Sequence, residues 1–196
     1  MISLKEGTLL VKLARKNIES TFKKVIGLTS ETSQFKERHG IFVTLHTWPE
    51  NGLKGCIGFP YPIMQLGKAV IETSRAAAFE DPRFLPLTES ELNKIILEIS
   101  ILSRPELIEG KKEDLPENIK IRKDGLICTL GINTGLFLPQ VAVEQKWNSL
   151  QFLEQVCIKA GLGANRWMHP QCKIYKFQAQ IFSEVRPEGK VIEKRI

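Results

Sequence analysis

Apolar residues recur at helical spacing near the start of the chain: Leu9, Leu10, Leu13, Ile18 and Phe22 share one side of a largely polar segment. That period predicts an amphipathic helix from about residue 4 to 24, with Ser3 and Glu6 at capping-box spacing before it. VIGLTSETSQFKERH, residues 25–39, is a polar connector. The period then drops to two. In GIFVTLHTW, Ile41, Val43 and Leu45 alternate with Phe42, Thr44 and His46, which predicts a strand. PENG is a turn and NGLKGCIGF returns as a second strand, so the pair forms an antiparallel hairpin. From Pro62 the helical period resumes, with Met64, Leu66, Ala69, Val70, Thr73 and Ala77 on one side. Pro62 fits the first turn, where its missing N–H would be unpaired anyway.

DPRFLPL is a proline-stiffened loop, and Thr88 to Glu91 is a second capping box leading into a short helix. IILEISILS, rich in β-branched residues, predicts a buried strand. RPELIEGKKEDLPEN is loop-like and long enough to form a lid or surface arm. Asp124-Gly125 predicts the turn of a second hairpin within IKIRKDGLICTLG. A Gly-Leu-Phe-Leu-Pro stretch then leads into helices that end at Gly161 and Gly163. KIYKFQAQIFSEV closes as one half-buried strand, Ile174, Lys176, Gln178 and Gln180 opposing Tyr175, Phe177, Ala179 and Ile181. Strands reached mostly through hairpins favour an α+β fold with a largely antiparallel sheet over a doubly wound one.

Composition narrows the function classes. With 196 residues, 42% apolar and 26% charged, the chain suits one domain, or one with a smaller lobe. The opening MISLKEGTLL reaches a Lys-Glu pair before any apolar run, so no export signal is expected. No apolar stretch has membrane-spanning length. Both point to a cytoplasmic protein. The net charge is +6, but the basic C-terminal segment also carries Glu184, Glu188 and Glu193, the pattern of a solvated tail. No zinc-finger spacing, RNP-like motif or Arg-rich run marks a nucleic-acid reader. Cys56, Cys128, Cys157 and Cys172 are widely spaced, with neither zinc-ligand spacing nor a disulfide framework. Cys128 and Cys157 fit small core positions and Cys172 a loop. Cys56 alone sits between glycines.

LKGCIGFP, AAAFEDPRFLPL, LEISILS, KDGLICTLGINTGLFLPQVAVEQKW and FLEQVCIKAGL, followed by IYKFQAQIF, together resemble the AMMECR family. The resemblance runs from about residue 5 to 185, so residues 1–196 read as a single AMMECR-type domain with 186–196 as a basic tail. It implies an α+β fold, a main antiparallel sheet flanked by helices, and a smaller lobe forming a groove with the cysteine motif in it. It implies no reaction. It does suggest radical-SAM and Memo-type proteins as partners of some prokaryotic members. The family usually has Arg before the Gly-Cys-Ile-Gly core, and Lys54 stands here, keeping the charge but losing the planar fork that grips an anion bidentately.

The candidate site starts at Cys56. Strand alternation puts Lys54 and Cys56 on one face, where an ammonium could lower the thiol pKa. Gly55 and Gly58 remove bulk and open an approach to the backbone. The competing reading is a bulge or bend around a small buried cysteine. His46 lies in the partner strand, but the family pattern asks for histidine at none of His39, His46 and His169. Asp81 and Arg83, stiffened by Pro82 and Pro86, suit an anion contact or a salt-bridge lock. Gln140 could present an amide to a ligand or cap its helix. Glu144 and Trp147 share a helical face, and Trp147 reads as packing. No metal set and no cofactor is expected. Three readings follow: a binding or scaffold module whose groove around Cys56 holds a small anionic metabolite or a partner segment; a thiol-dependent enzyme using Cys56 as nucleophile or redox thiol; and a nucleic-acid-linked regulator, supported only by the charge. The first leads. Whether the chain is an enzyme stays open at this point.

Overall fold

Helix α1 (Leu4–Lys23) forms where the helical period predicts it. The Glu6 N–H donates to Ser3 Oγ and the Ser3 N–H to Glu6 Oε2, completing the capping box. The structure, a computed structural model, describes residues 1–23 and 32–196. The predicted connector therefore lies partly outside the described residues. The predicted hairpin is present: β1 (Gly40–Thr47) pairs antiparallel with β2 (Leu53–Phe59), Thr44 opposite Cys56, with a bulge between Leu45 and His46. Asn51, in the turn, has φ 57°, a conformation asparagine tolerates better than most residues.

Helix α2 (Leu66–Phe79) starts later than expected. Gln65 is its N-cap, so Pro62 belongs to the preceding loop and not to the first turn. Ile41, Val43 and Leu45 of β1 bury fully in one core with Leu10, Ala14 and Ile18 of α1 and Ala69 and Val70 of α2. A short 3₁₀ turn, Glu89–Lys94, carries the second capping box and delivers β3 (Ile95–Leu102). The remaining strands of the same sheet come from the end of the chain, β8 (Ala179–Glu184) and β9 (Val191–Lys194). The strand order is β2-β1-β3-β8-β9, and every residue of the central β3 is buried, as its sequence predicts. The segment read as a solvated tail thus supplies an edge strand. Val191 is buried, and the Lys194 ammonium lies 2.7 Å from the buried Glu98 carboxylate. Glu184 is not solvated either, for it pairs with Arg15 of α1.

The chain divides into two compact units, one of Met1–Leu102 with Gln180–Arg195 and one of Ser103–Ala179 with Ile196. The second unit holds the strands β4 (Glu106–Leu107), β5 (Gly125–Leu130), β6 (Asn133–Phe137) and β7 (Lys173–Phe177). They form a four-stranded sheet in the order β4-β7-β5-β6. Helices α3 (Pro139–Glu144) and α4 (Ser149–Lys159) belong to the same unit. Three expectations change here. The polar arm is partly ordered, into β4 and the 3₁₀ turn Lys112–Asn118. The hairpin turn is not at Asp124-Gly125. Asp124 instead accepts the Lys120 N–H, while Gly125 is already strand, and a Cβ there would meet the Phe177 ring at 2.4 Å. The turn falls at Gly131, whose φ of +61° needs glycine's freedom. Finally, the closing strand is two strands in two sheets. Gln178 bonds to Ser103 instead of to a strand: the Ser103 N–H donates to the Gln178 carbonyl at 2.9 Å, and the Gln178 N–H donates to Ser103 Oγ. The sheet partner changes there. The pairs β1–β2, β1–β3, β4–β7, β5–β6, β5–β7 and β8–β9 are antiparallel, and the fold is α+β.

Candidate functional site

Cys56 lies mid-way along β2, at the edge of its sheet. An edge strand leaves a row of backbone groups unpaired, and at Cys56 the loop after α2 fills that gap. The Cys56 N–H donates to Asp81 Oδ2 at 2.8 Å, and the Cys56 carbonyl accepts from Arg83 Nη2 at 3.0 Å. Asp81 and Arg83 are themselves joined in a fork, Nε to Oδ1 at 2.9 Å and Nη2 to Oδ2 at 2.7 Å. The pair thus acts as a two-residue substitute for a missing strand. The guanidinium, with the peptide N–H groups of Cys56 and Arg83, holds the Asp81 carboxyl down at about 2 despite its burial. Asp81 and Arg83 form a salt-bridge lock, one of the two arrangements read for them, and the lock closes on the backbone of Cys56.

The two glycines have another role than the one expected. A Cβ on Gly55 would stand 2.0 Å from the Ala77 carbonyl oxygen in the last turn of α2. A Cβ on Gly58 would meet the Ile41 carbonyl at 2.1 Å. The space left by the missing side chains is filled by backbone, so the glycines open no path to the thiol. They let helix and strands approach it. Gly55→Ala is expected to lose about 1–3 kcal/mol in urea unfolding, the cost of overpacking. A loss under about 0.5 kcal/mol, the range of an ordinary surface change, would show that the helix end can yield.

Lys54 does not activate the thiol. Its ammonium is paired with Glu91 at 2.7 Å, and this contact, with the Thr88 capping bonds, draws the Glu91 carboxyl down to about 2. Cys56 is half-buried, and burial pushes its thiol above the ordinary value. A hydrogen bond from the Thr44 hydroxyl at 3.3 Å and the Arg83 charge oppose the rise, while Asp81 and Glu98 add to it. No histidine bonds to the sulfur among the described residues, and the register sets Thr44, not His46, opposite Cys56. A nucleophilic cysteine needs a base or a depressed pKa; among the described residues no base bonds to the sulfur, and burial raises its pKa.

Gln140 and Glu144 sit on α3 in the second unit. Gln140 does not cap the helix, and its Oε1 is buried without a hydrogen-bond partner among the described residues. Glu144 is exposed. Trp147 packs edge-on against Phe137, centroids 5.4 Å apart, which fits the packing role read for it. Two further features of that unit leave no local trace in the sequence. One is a cleft of about 340 Å³ with Lys120, Lys123 and Lys176 in its wall; the other is a meeting of three cysteines.

No helix of the described residues is long and apolar enough to cross a membrane. The AMMECR1 family model matches residues 11–182. Protein MJ0810 of Methanocaldococcus jannaschii is 46% identical, the match covering 100% of this chain and 98% of that protein. Protein PF1979 of Pyrococcus furiosus is also 46% identical, over 96% of this chain and 92% of that one. The crystal structure of the uncharacterized protein PH0010 from Pyrococcus horikoshii superposes with a TM-score of 0.94 at 41% identity, covering 100% of this chain and 99% of its own. With a family model over most of its length and relatives at this identity over nearly all of it, the chain belongs to the AMMECR1 family.

Proposed function

We propose that the chain is a binding module, and that the surface at Cys56 takes an anionic group on Arg83. The carboxylate or phosphate of a small metabolite, or of a partner segment, has the right chemistry. The observation that carries this reading is the state of the guanidinium. Nε and Nη2 are fixed by Asp81 and the Cys56 carbonyl, while the side chain is 51% exposed and Nη1 makes no hydrogen bond among the described residues. The Phe84 ring lies 5.3 Å from Cζ and stiffens it further. An arginine already held in place loses little freedom on gripping an anion, and planar donors suit carboxylate and phosphate. The neighbouring thiol, pushed up by burial, fits a wall of this surface better than a reacting group.

The test is a titration of isotope-labelled protein with inorganic phosphate, read at the Cys56 amide and the Arg83 Nε–H. Because Asp81 already offsets much of the charge, binding is expected in the millimolar range, about 4 kcal/mol. Both signals should shift together and saturate, and Arg83→Gln should abolish the response. Signals that stay still, or an unchanged response in Arg83→Gln, would defeat the reading.

A further inference from the structure

Cys157 and Cys172 lie 29 and 44 residues beyond Cys128, yet all three meet inside the Ser103–Ala179 unit. Cys128 comes from the middle of β5, Cys157 from the last turn of α4, and Cys172 from the turn entering β7. The Cys128 sulfur lies 3.6 Å from that of Cys157 and 3.5 Å from that of Cys172, and all three sulfurs are within 4.8 Å of one another. All three are free thiols, at most 1% exposed, in a core that includes Leu126, Phe152, Val156 and Ile174. The Lys112 ammonium donates to the Cys172 carbonyl oxygen, which places a cation beside the cluster.

We propose that these three cysteines form a trithiolate site for copper(I). Thiolate sulfur selects soft ions, and the size of the sulfur triangle fits. With metal–sulfur bonds of about 2.3 Å, a planar three-coordinate ion needs sulfurs about 4.0 Å apart. The two short edges fall within roughly half an ångström of that, a difference small side-chain rotations can supply. The third edge, between Cys157 and Cys172, is at most 4.8 Å. Zinc in a closed protein site takes four ligands, and no fourth histidine, cysteine or carboxylate atom joins the three among the described residues. Copper(I) is satisfied by three. On binding, three S–H bonds break, three copper–sulfur bonds form and three protons leave to solvent. Copper stays in its +1 state, so no oxidant or reductant is consumed. The bound centre carries two negative charges, which Lys112 partly offsets.

The test uses reduced, oxygen-free full-length protein loaded with copper(I) in the presence of bicinchoninate as competing chelator, then desalted and assayed for copper. One copper per chain is expected for the wild type, and none for Cys172→Ser or Cys157→Ser. X-ray absorption at the copper edge of the loaded wild type gives a reading that needs no variant to fold. It is expected to show three sulfur neighbours at about 2.3 Å and no nitrogen or oxygen. A wild type that keeps no copper, a serine variant that keeps as much, a nitrogen or oxygen shell, or retention of zinc in preference to copper(I) would each overturn the assignment.

Discussion

Replacing Glu184 by glutamine is expected to cost about 3–5 kcal/mol of unfolding free energy, the usual result of breaking a buried ion pair from one side. Arg15 Nε and Nη2 grip the two Glu184 oxygens at 2.6 and 2.5 Å, with side chains only 8% and 4% exposed. The same guanidinium donates to the carbonyls of Leu92 and Ile95, and Glu184 Oε2 also accepts the Leu97 N–H. One fork thus ties α1 to β8 and to the start of β3. Glutamine keeps the volume but removes the charge and turns one acceptor into a donor facing another donor. Urea unfolding of the two proteins measures the difference. A loss below about 1 kcal/mol, the worth of a surface pair, would mean the fork is solvated in solution. The paired change Arg15→Met with Glu184→Leu is expected to recover most of the stability, because apolar replacements of both partners avoid the stranded charge.

Replacing Asp81 by alanine is expected to cost about 2–4 kcal/mol, since it strands the Cys56 N–H and the Arg83 fork together. The loss should be visible locally as faster hydrogen exchange at the Cys56 amide. The pH dependence gives an independent reading. Asp81 titrates near 2 in the folded chain against an ordinary 3.8. A lowered folded pKa contributes stability that is complete above the unfolded value and disappears as pH falls through the folded one. At about 1.36 kcal/mol per unit this contribution is about 2 kcal/mol. The stability gap between wild type and Asp81→Asn is therefore expected to be full at about pH 6 and to narrow by most of that amount on acidification to about pH 2. A gap that does not change with pH would contradict the fork.

The elements set by local pattern were legible. The 3.6 period and Ser3–Glu6 box mark α1, and alternation around the Asn51-Gly52 turn marks the β1–β2 hairpin. The stiff loop carrying Asp81 and Arg83 was legible too, because its prolines follow directly on α2, while the backbone of Cys56 as the partner of that pair was not. What escaped depends on partners distant in sequence. Glu184 sits beside Arg186 and Glu188 and reads as surface, until the sheet order brings it under Arg15, 169 residues away. Gly55 reads as an opening because nothing in the sequence announces the Ala77 carbonyl. The break at Gln178 is hidden because its alternation continues through a change of sheet. The three cysteines show no metal-ligand spacing, since each comes from a different element and only the packing of α4 on the second sheet joins them.

Whether Cys56 marks a binding surface or a reacting thiol is decided most directly by the pH dependence of its alkylation, separated from the other three cysteines by peptide mass spectrometry. The expected result is slow labelling at neutral pH with an apparent pKa above the ordinary thiol value, while Cys128, Cys157 and Cys172 react only on unfolding. Rapid labelling at neutral pH, with an apparent pKa well below about 8.5, would contradict it and make Cys56 an activated nucleophile.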